Sequence, residues 1–351
     1  MGMRSTDSII ITHEILSLIA EIDEFRGAWK AIGRLAPDKL EQLQKVATIE
    51  SIGSSTRIEG SKLSDKEVEL LLGNLQIRNF STRDEQEVAG YAELMNLVFR
   101  HHDEIPLAEN YIKQLHRDLL QYSEKDNWHR GEYKKSPNHV EAFDETGKSM
   151  GVVFETATPF DTPLRMEQLV LWAKQRLEEK KLHPLLVTAI FIVEFLAIHP
   201  FQDGNGRLSR VLNSYLLLKS GYVYVPYSSL EAVIEQNKKD YYLSLRQTQA
   251  TLKDDVPDWQ PWILFFLKAL QTQKDRLAVK MEREHVLLGQ IPELSQQIIE
   301  LAKSRGRITI GEIHRLTHAN RNTLKKHLEN LVVTKLLIKN GTGKASWYVM
   351  G

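Results

Sequence analysis

Residues 199–210 read His-Pro-Phe-Gln-Asp-Gly-Asn-Gly-Arg-Leu-Ser-Arg. The run gathers a base, a carboxylate, two glycines flanking an asparagine, and two arginines three positions apart. That is the inventory of a general base set beside a polyphosphate. His199 is the local side chain that titrates near neutrality, and so the natural proton acceptor. Asp203 is a hard oxygen ligand suited to one Mg²⁺ bridging phosphates. Gly204 and Gly206 permit positive φ and close approach of a ligand. Amides of such a loop, aimed by a following helix, form an anion nest. Asn205 tolerates left-handed geometry and adds a side-chain donor. Arg207 and Arg210 share a helix face and can fork onto successive phosphates. Pro200 and Phe201 are expected to bury the root of the loop.

Two flanking elements must position these groups. Leu185 to Ile198 is nearly all apolar and predicts a buried helix. From Arg207 to Lys219 helical spacing resumes, with Val211, Leu212, Tyr215, Leu216 and Leu218 apolar. The segment therefore reads helix, tight loop, helix, with the loop ending at a helix N-terminus. A solvated polar turn with a capping Asp is the bland alternative, and it needs neither the histidine nor the full arginine pair.

The segment resembles the signature of the Fic family, His-x-Phe-x-Asp/Glu-Gly-Asn-Gly-Arg-x-x-Arg, and every specified position matches. Members typically transfer AMP from ATP to a protein hydroxyl. The resemblance implies that His199 deprotonates an acceptor Ser, Thr or Tyr. It implies that Asp203 holds Mg²⁺, and that the loop amides with Asn205 cradle the α- and β-phosphates. Arg207 would neutralise the β-phosphate and Arg210 would reach the γ-phosphate. Gly206 argues against the relatives that act as kinases, which carry a bulkier residue there.

Far upstream, residues 51–60 read Ser-Ile-Gly-Ser-Ser-Thr-Arg-Ile-Glu-Gly. Ser55, Glu59 and Gly60 match the family's inhibitory pattern, Ser/Thr-x-x-x-Glu-Gly/Asn. The resemblance places the chain in the subclass with an inhibitory helix N-terminal to the core, where Glu59 pairs with Arg210 and competes with the γ-phosphate. In some relatives that the segment resembles, the same Glu positions water for AMP removal.

Between His129 and Pro159, Gly131-Glu132-Tyr133-Lys134-Lys135 precedes Asn138-His139-Val140-Glu141-Ala142-Phe143. A turn signal at residues 144–148 and the β-prone Gly151-Val152-Val153-Phe154 follow. This predicts a hairpin. It is similar to the family's flap, which pins a target backbone by strand addition, with Asn138, His139, Val140 and Glu141 facing the nucleotide. Downstream, Tyr241, Tyr242 and Gln249 fall where relatives hold adenine. Gln249 stands in place of the family's Asn.

The chain has 351 residues, 42% hydrophobic and 26% charged, with 46 basic and 46 acidic residues and no cysteine. Disulfide frameworks and thiolate metal sites are excluded. The N-terminus lacks a signal-peptide core. No run reaches the roughly 20 apolar residues of a membrane span, so a cytoplasmic protein with no membrane partner is expected. The predicted class is mainly α: a Fic-fold helical core with a β-hairpin flap, then a small winged helix-turn-helix domain. Expected divisions are 1–60, carrying the inhibitory helix; 61–270, the core; 271–293, a connecting helix; and 294–351, the winged helix. Core helices are predicted near 64–73, 83–102, 109–121, 163–180, 184–198, 206–219, 230–250 and 257–270.

Residues 301–351 hold ten Lys and Arg against two Asp and Glu, about +8, so residues 1–300 balance at about −8. Three helices and a β-wing with Arg321, Lys325 and Lys326 on the third helix fit nucleic acid. A docking or dimerising winged helix fits too, and a homodimer is entertained. Two functions follow. One is an autoinhibited adenylyltransferase using ATP and Mg²⁺ on an unidentified target protein or on itself. The other is a DNA-binding regulator with a nucleotide-sensing core. Transfer of UMP or phosphocholine is a lesser alternative.

Overall fold

The computed structural model describes residues 8–31, 37–74, 80–138, 140–143, 149–289, 292–333, 336–341, 343 and 346–351. For residues 30, 31, 37–39, 140–143, 149–153 and 283–289 only the backbone is described. The chain divides into two compact units, Met1–Leu277 and Ala278–Gly351.

The first unit is built around α7 (Pro184–Ile198), in which every residue from Leu185 to Ile198 is buried. An all-round apolar helix can only sit at the centre of a helical layer. Pro184 occupies its first turn, where no amide donor is lost, and His183 accepts from the Leu185 amide. Around it pack α6 (Thr162–Glu179), α8 (Asn205–Lys219) and α10 (Lys238–Thr251). The Trp262 indole on α11 (Gln260–Gly289) donates to the Ala189 carbonyl at 2.6 Å.

Upstream lie α1 (His13–Ala31), α2 (Pro37–Ile58), α3 (Asp65–Gly73), α4 (Arg83–His101) and α5 (Glu109–Leu119). Capping boxes start α3 and α4: Ser64 with Glu67, and Thr82 with Glu85. The helix α2 lies in the same compact unit as the core. It packs on α4, on α8 and on α9 (Leu230–Gln236).

The hairpin predicted from the β-prone runs is present. Strands β1 (Val140–Phe143) and β2 (Ser149–Phe154) pair antiparallel, with register shifts after Val140 and Ala142. Two boundaries differ from expectation. The helix expected over 230–250 breaks at Asn237, which has φ −113° and ψ 32°. Its side chain donates to the Val233 carbonyl at 2.8 Å, so a local side-chain bond competes with the helix. The segments expected to part at 270 form the continuous α11, because nothing between 260 and 289 breaks a helix.

The second unit holds α12 (Glu293–Arg305), α13 (Ile310–Thr317), α14 (Arg321–Val333) and the antiparallel pair β3 (Leu337–Asn340) and β4 (Trp347–Met350). Its core is Ile298, Ala302, Ile308, Ile313, Leu324, Leu328, Leu331 and Leu337. Ile308 and Tyr348 exchange backbone hydrogen bonds at 2.8 and 2.9 Å, tying the start of α13 to the hairpin. The α13–α14 turn spans three residues and is made by His318 in the left-handed region, φ 54°.

Candidate active site

The loop of residues 199–204 leaves α7 by a sharp turn. His199 caps that helix with φ 51° and ψ 61°, a conformation that costs about 1–2 kcal/mol for a residue with a Cβ. Backbone contacts from upstream stabilise it. The Lys134 amide donates to the Pro200 carbonyl at 2.8 Å, and Tyr133 forms a bridge with Phe201. Phe201 is fully buried, its ring stacked 3.8 Å from that of His116. The His116 Nδ1 accepts from the Gly131 amide at 2.8 Å. Its Nε2 therefore carries the proton and donates to the Asp203 carbonyl at 2.9 Å. Burial lowers the His116 pKa to about 4, which keeps that pattern neutral and fixed.

His199 faces the Leu196 carbonyl through Nδ1 at 3.2 Å. A carbonyl only accepts, so Nδ1 holds the proton and Nε2 presents its lone pair. Burial, with Lys134 assisting, lowers the His199 pKa to about 4. The ring is therefore an unprotonated base at neutral pH.

Gly204 takes φ 79° at the N-cap of α8. Gly206 has a different reason from the one expected. It is helical, and a Cβ built on it would overlap the Glu59 carboxylate. Close approach, not positive φ, is what that position requires. Asn205 is also reassigned. Its Oδ1 accepts from the Phe201 amide at 2.9 Å and its Nδ2 donates to the Phe201 carbonyl at 2.7 Å. The side chain braces the loop, and its amide has a second N–H beyond the one given to Phe201.

The two arginines separate. Arg207, 2% exposed, pairs with Glu87 at 3.0 Å and with Asp203 at 3.4 Å. Glu87 also holds Arg83 at 2.7 Å, and Arg83 reaches Asp203 at 3.2 Å. Burial would raise the Asp203 carboxyl, but Arg207 and the Gly204 amide outweigh it and hold it below its usual range. Arg210, 3% exposed, donates through Nε to the Ser55 hydroxyl at 2.8 Å. Its Nη2 donates to the Ser55 carbonyl at 2.9 Å and to Glu59 Oε1 at 2.7 Å. That contact spans 151 positions. Burial would raise the Glu59 carboxyl; the Arg210 guanidinium overcomes this and keeps it low.

The end of α2 that presents Glu59 is tied to its neighbours. Arg57 makes two bonds to Glu235, at 2.7 and 3.0 Å, and one to Asp65 at 2.8 Å. Lys238 donates to the Ile58 carbonyl at 2.8 Å. Gly60 then ends the segment with φ 105°.

Asn138 is corrected as well. Its Nδ2 donates to the carbonyls of His199 and Phe201 at 3.2 and 2.6 Å, so it faces the loop and not a nucleotide. His139, and the side chains of Val140 and Glu141, lie outside the described residues; Val140 and Glu141 form the backbone of β1. Tyr241 is 3% exposed and packs on Trp262 and Phe265. Tyr242 is 44% exposed, while Gln249, two turns on along α10, is buried. A cavity of about 650 Å³ lined by Thr48, Ile49, Asn96, Phe99, His102 and Tyr227 includes no residue of the loop.

Among the described residues no three His, Asp or Glu cluster as a metal cage. Mg²⁺ needs none: it is commonly held by one or two carboxylates plus substrate phosphates. The charged, partly exposed Asp203 beside the helix N-terminus fits that donor set.

Residues 106–217, which include the buried apolar helix, the loop and most of the arginine-bearing helix after it, match the Fic/DOC family. Over 319 residues the chain is 26% identical to the protein adenylyltransferase Fic of Drosophila virilis, covering 85% of this chain and 59% of that one. It spans about half the length of the curated relatives it matches. The fold is that of a Fic family protein from Desulfovibrio desulfuricans G20, with TM-score 0.65, 23% identity, and 99% and 98% of the two chains covered. A Fic domain containing signaling protein from Bacteroides thetaiotaomicron aligns with TM-score 0.56 and 25% identity, over 72% of this chain and 95% of its own. Among the described residues no helix is long and apolar enough to cross a membrane.

Several residues around the loop carried no signal in the sequence. Glu87, Arg83, His116 and Lys134 are ordinary members of their segments. Only packing brings them to the loop.

Proposed function

We propose that this chain is a protein adenylyltransferase restrained by its own α2. The observation that carries the reading is Arg210, whose guanidinium is shared by Ser55 and Glu59 in a loop whose His199 presents a free Nε2. An acceptor hydroxyl, on a target protein or on the chain itself, attacks the α-phosphorus of ATP. The new O–P bond forms as the bond to the β-phosphate bridge breaks, and pyrophosphate leaves. His199 Nε2 takes the hydroxyl proton. Amides at the N-terminus of α8 and the Arg207 charge stabilise the phosphates. Asp203 would hold Mg²⁺, which when bound neutralises phosphate charge. The exposed Tyr242 offers a stacking face for adenine. While Glu59 occupies Arg210, that guanidinium is withheld from the γ-phosphate. Incubating the full chain with Mg²⁺ and ATP labelled at the α-phosphate tests the reading: covalent label on protein is expected. A sensor without chemistry gives none.

Asp203→Ala should weaken Mg²⁺-dependent ATP binding. Calorimetry with and without Mg²⁺ reads this directly. Equal affinities in the parent and variant would remove Asp203 from the metal site.

A second reading concerns the C-terminal unit. Arg321, Lys325 and Lys326 are exposed on α14 and, among the described residues, none is ion-paired. They lie on the second helix of a helix–turn–helix arrangement in a segment of about +8. The major groove admits such a helix, so this unit would bind duplex DNA. Anisotropy with a labelled mixed-sequence duplex should give an affinity that falls steeply with salt. Reversing the three charges to Glu should weaken it at least about tenfold, since each lost phosphate contact flattens the salt slope. No binding at about 50 mM salt, where electrostatic binding is strong, would leave the face to a protein partner.

A further inference from the structure

Lys134 is 3% exposed, and its ammonium has three acceptors. Nζ donates to Asn138 Oδ1 at 2.7 Å, to Thr156 Oγ1 at 2.9 Å and to the Ile198 carbonyl at 3.0 Å. Three N–H groups meet three oxygens, so the ammonium is saturated and a neutral amine would leave one acceptor unpaired. Those oxygens come from separate places. Ile198 is the last residue of α7, immediately before the base. Asn138 stands just before β1 and Thr156 just after β2, so the two mark the root of the hairpin. Asn138 in turn donates to the carbonyls of His199 and Phe201, and Thr156 donates to Asn138 Oδ1 at 3.1 Å. Every carbonyl of 198–201 is thereby held from one cluster, counting that of Pro200, which accepts the Lys134 amide.

We propose that Lys134 is a positioning residue for the transfer reaction: it locks the left-handed bend at His199 to the root of the hairpin, so that Nε2 is aimed at the acceptor held by that hairpin. A histidine at φ 51° persists only where its surroundings over-determine it, and the Lys134 cluster supplies the bonds on the upstream side. Asn205 closes the downstream side. The ammonium does not touch the nucleotide site; its action on chemistry passes through the backbone. The charged group facing it is Arg165 on α6, itself paired with Glu194 at 3.5 Å, and the titratable one is the neutral His199. Burial and Arg165 lower the Lys134 pKa to about 8. The saturated cluster is therefore present below that pH and lost as pH rises through it.

The inference rests on the adenylyltransferase reading, and both are tested in the Glu59→Gly chain with α-labelled ATP. Lys134→Met should lower kcat by about tenfold or more, as small misplacements of a catalytic group do. KM for ATP should stay within about twofold, because the phosphate contacts lie on other residues. Lys134→Arg keeps charge and donors but does not titrate below pH 12. The parent chain should lose kcat above about pH 8, and that basic limb should be absent from the Arg variant, even where the Met variant fails to fold. A folded Met variant with parental kcat, or a basic limb unchanged in the Arg variant, overturns the assignment. A Glu59→Gly chain that incorporates no label sinks the adenylyltransferase reading and this one with it. Label indifferent to residue 134 sinks only the positioning role.

Discussion

Glu59→Gly raises self-labelling from ATP by an order of magnitude or more. The carboxylate accepts from Arg210 Nη2 at 2.7 Å and, on the proposed reading, competes with the γ-phosphate for that guanidinium. Losing as little as ~1.4 kcal/mol of competition is worth tenfold in rate. Ser55 stays in place, so Arg210 remains held by its hydroxyl and carbonyl and keeps its aim. Arg210→Ala shows no such gain, because the phosphate contact goes with the inhibitory one. The double variant resembles Arg210→Ala alone, the non-additivity expected of a shared partner. Rates of label incorporation in the four chains, at fixed ATP and Mg²⁺, complete the cycle. A Glu59→Gly chain labelling at the parental rate would refute the inhibitory role and leave the base assignment standing.

His199→Ala in the Glu59→Gly chain lowers transfer by ~10²–10⁴-fold, the usual worth of a general base. Nucleotide affinity is largely retained, since the groups proposed to face the phosphates are the α8 amides, Arg207 and Arg210. Calorimetry for binding and label incorporation for rate separate the two effects. The pH dependence has a definite sign. Burial lowers the His199 pKa to about 4, so the neutral, competent ring persists as pH falls through 7 and 6. The acid limb of kcat therefore lies near pH 4, well below the range of an ordinary histidine. A limb near 6.5 would mean a solvated base and a loop more open than the one described.

The central helix was legible because a run of fifteen residues, apolar but for Thr188 and Glu194, has no place except the middle of a helical layer. The catalytic loop was legible as an inventory, and the hairpin from its turn signal between β-prone runs. What single residues do inside the loop was not. The family resemblance implied that Asn205 and Asn138 face the nucleotide; in the fold Asn138 gives both amide hydrogens, and Asn205 one, to loop carbonyls. An amide group satisfies a buried carbonyl as readily as a phosphate, and only the fold decides which is nearer. Gly206 was read as allowing positive φ and close approach of a ligand; it is helical, and its bareness makes room for Glu59, a neighbour that sequence distance hides. Composition and periodicity give no reason to connect Glu59 with Arg210; the family resemblance raised that contact. The break at Asn237 comes from a local side-chain bond that competes with the helix, and α11 runs on because nothing inside it breaks a helix. Lys134 carried no signal because its role depends on three oxygens brought together from positions 138, 156 and 198.

The most direct test sets two labels side by side on the Glu59→Gly chain with Mg²⁺: ATP labelled at the α-phosphate and ATP labelled at the γ-phosphate. AMP transfer with His199 as base requires strong covalent incorporation of the α-label, none of the γ-label, and loss of the α-label when His199 is also changed to Ala. Incorporation of the γ-label, or α-label that survives His199→Ala, would contradict it.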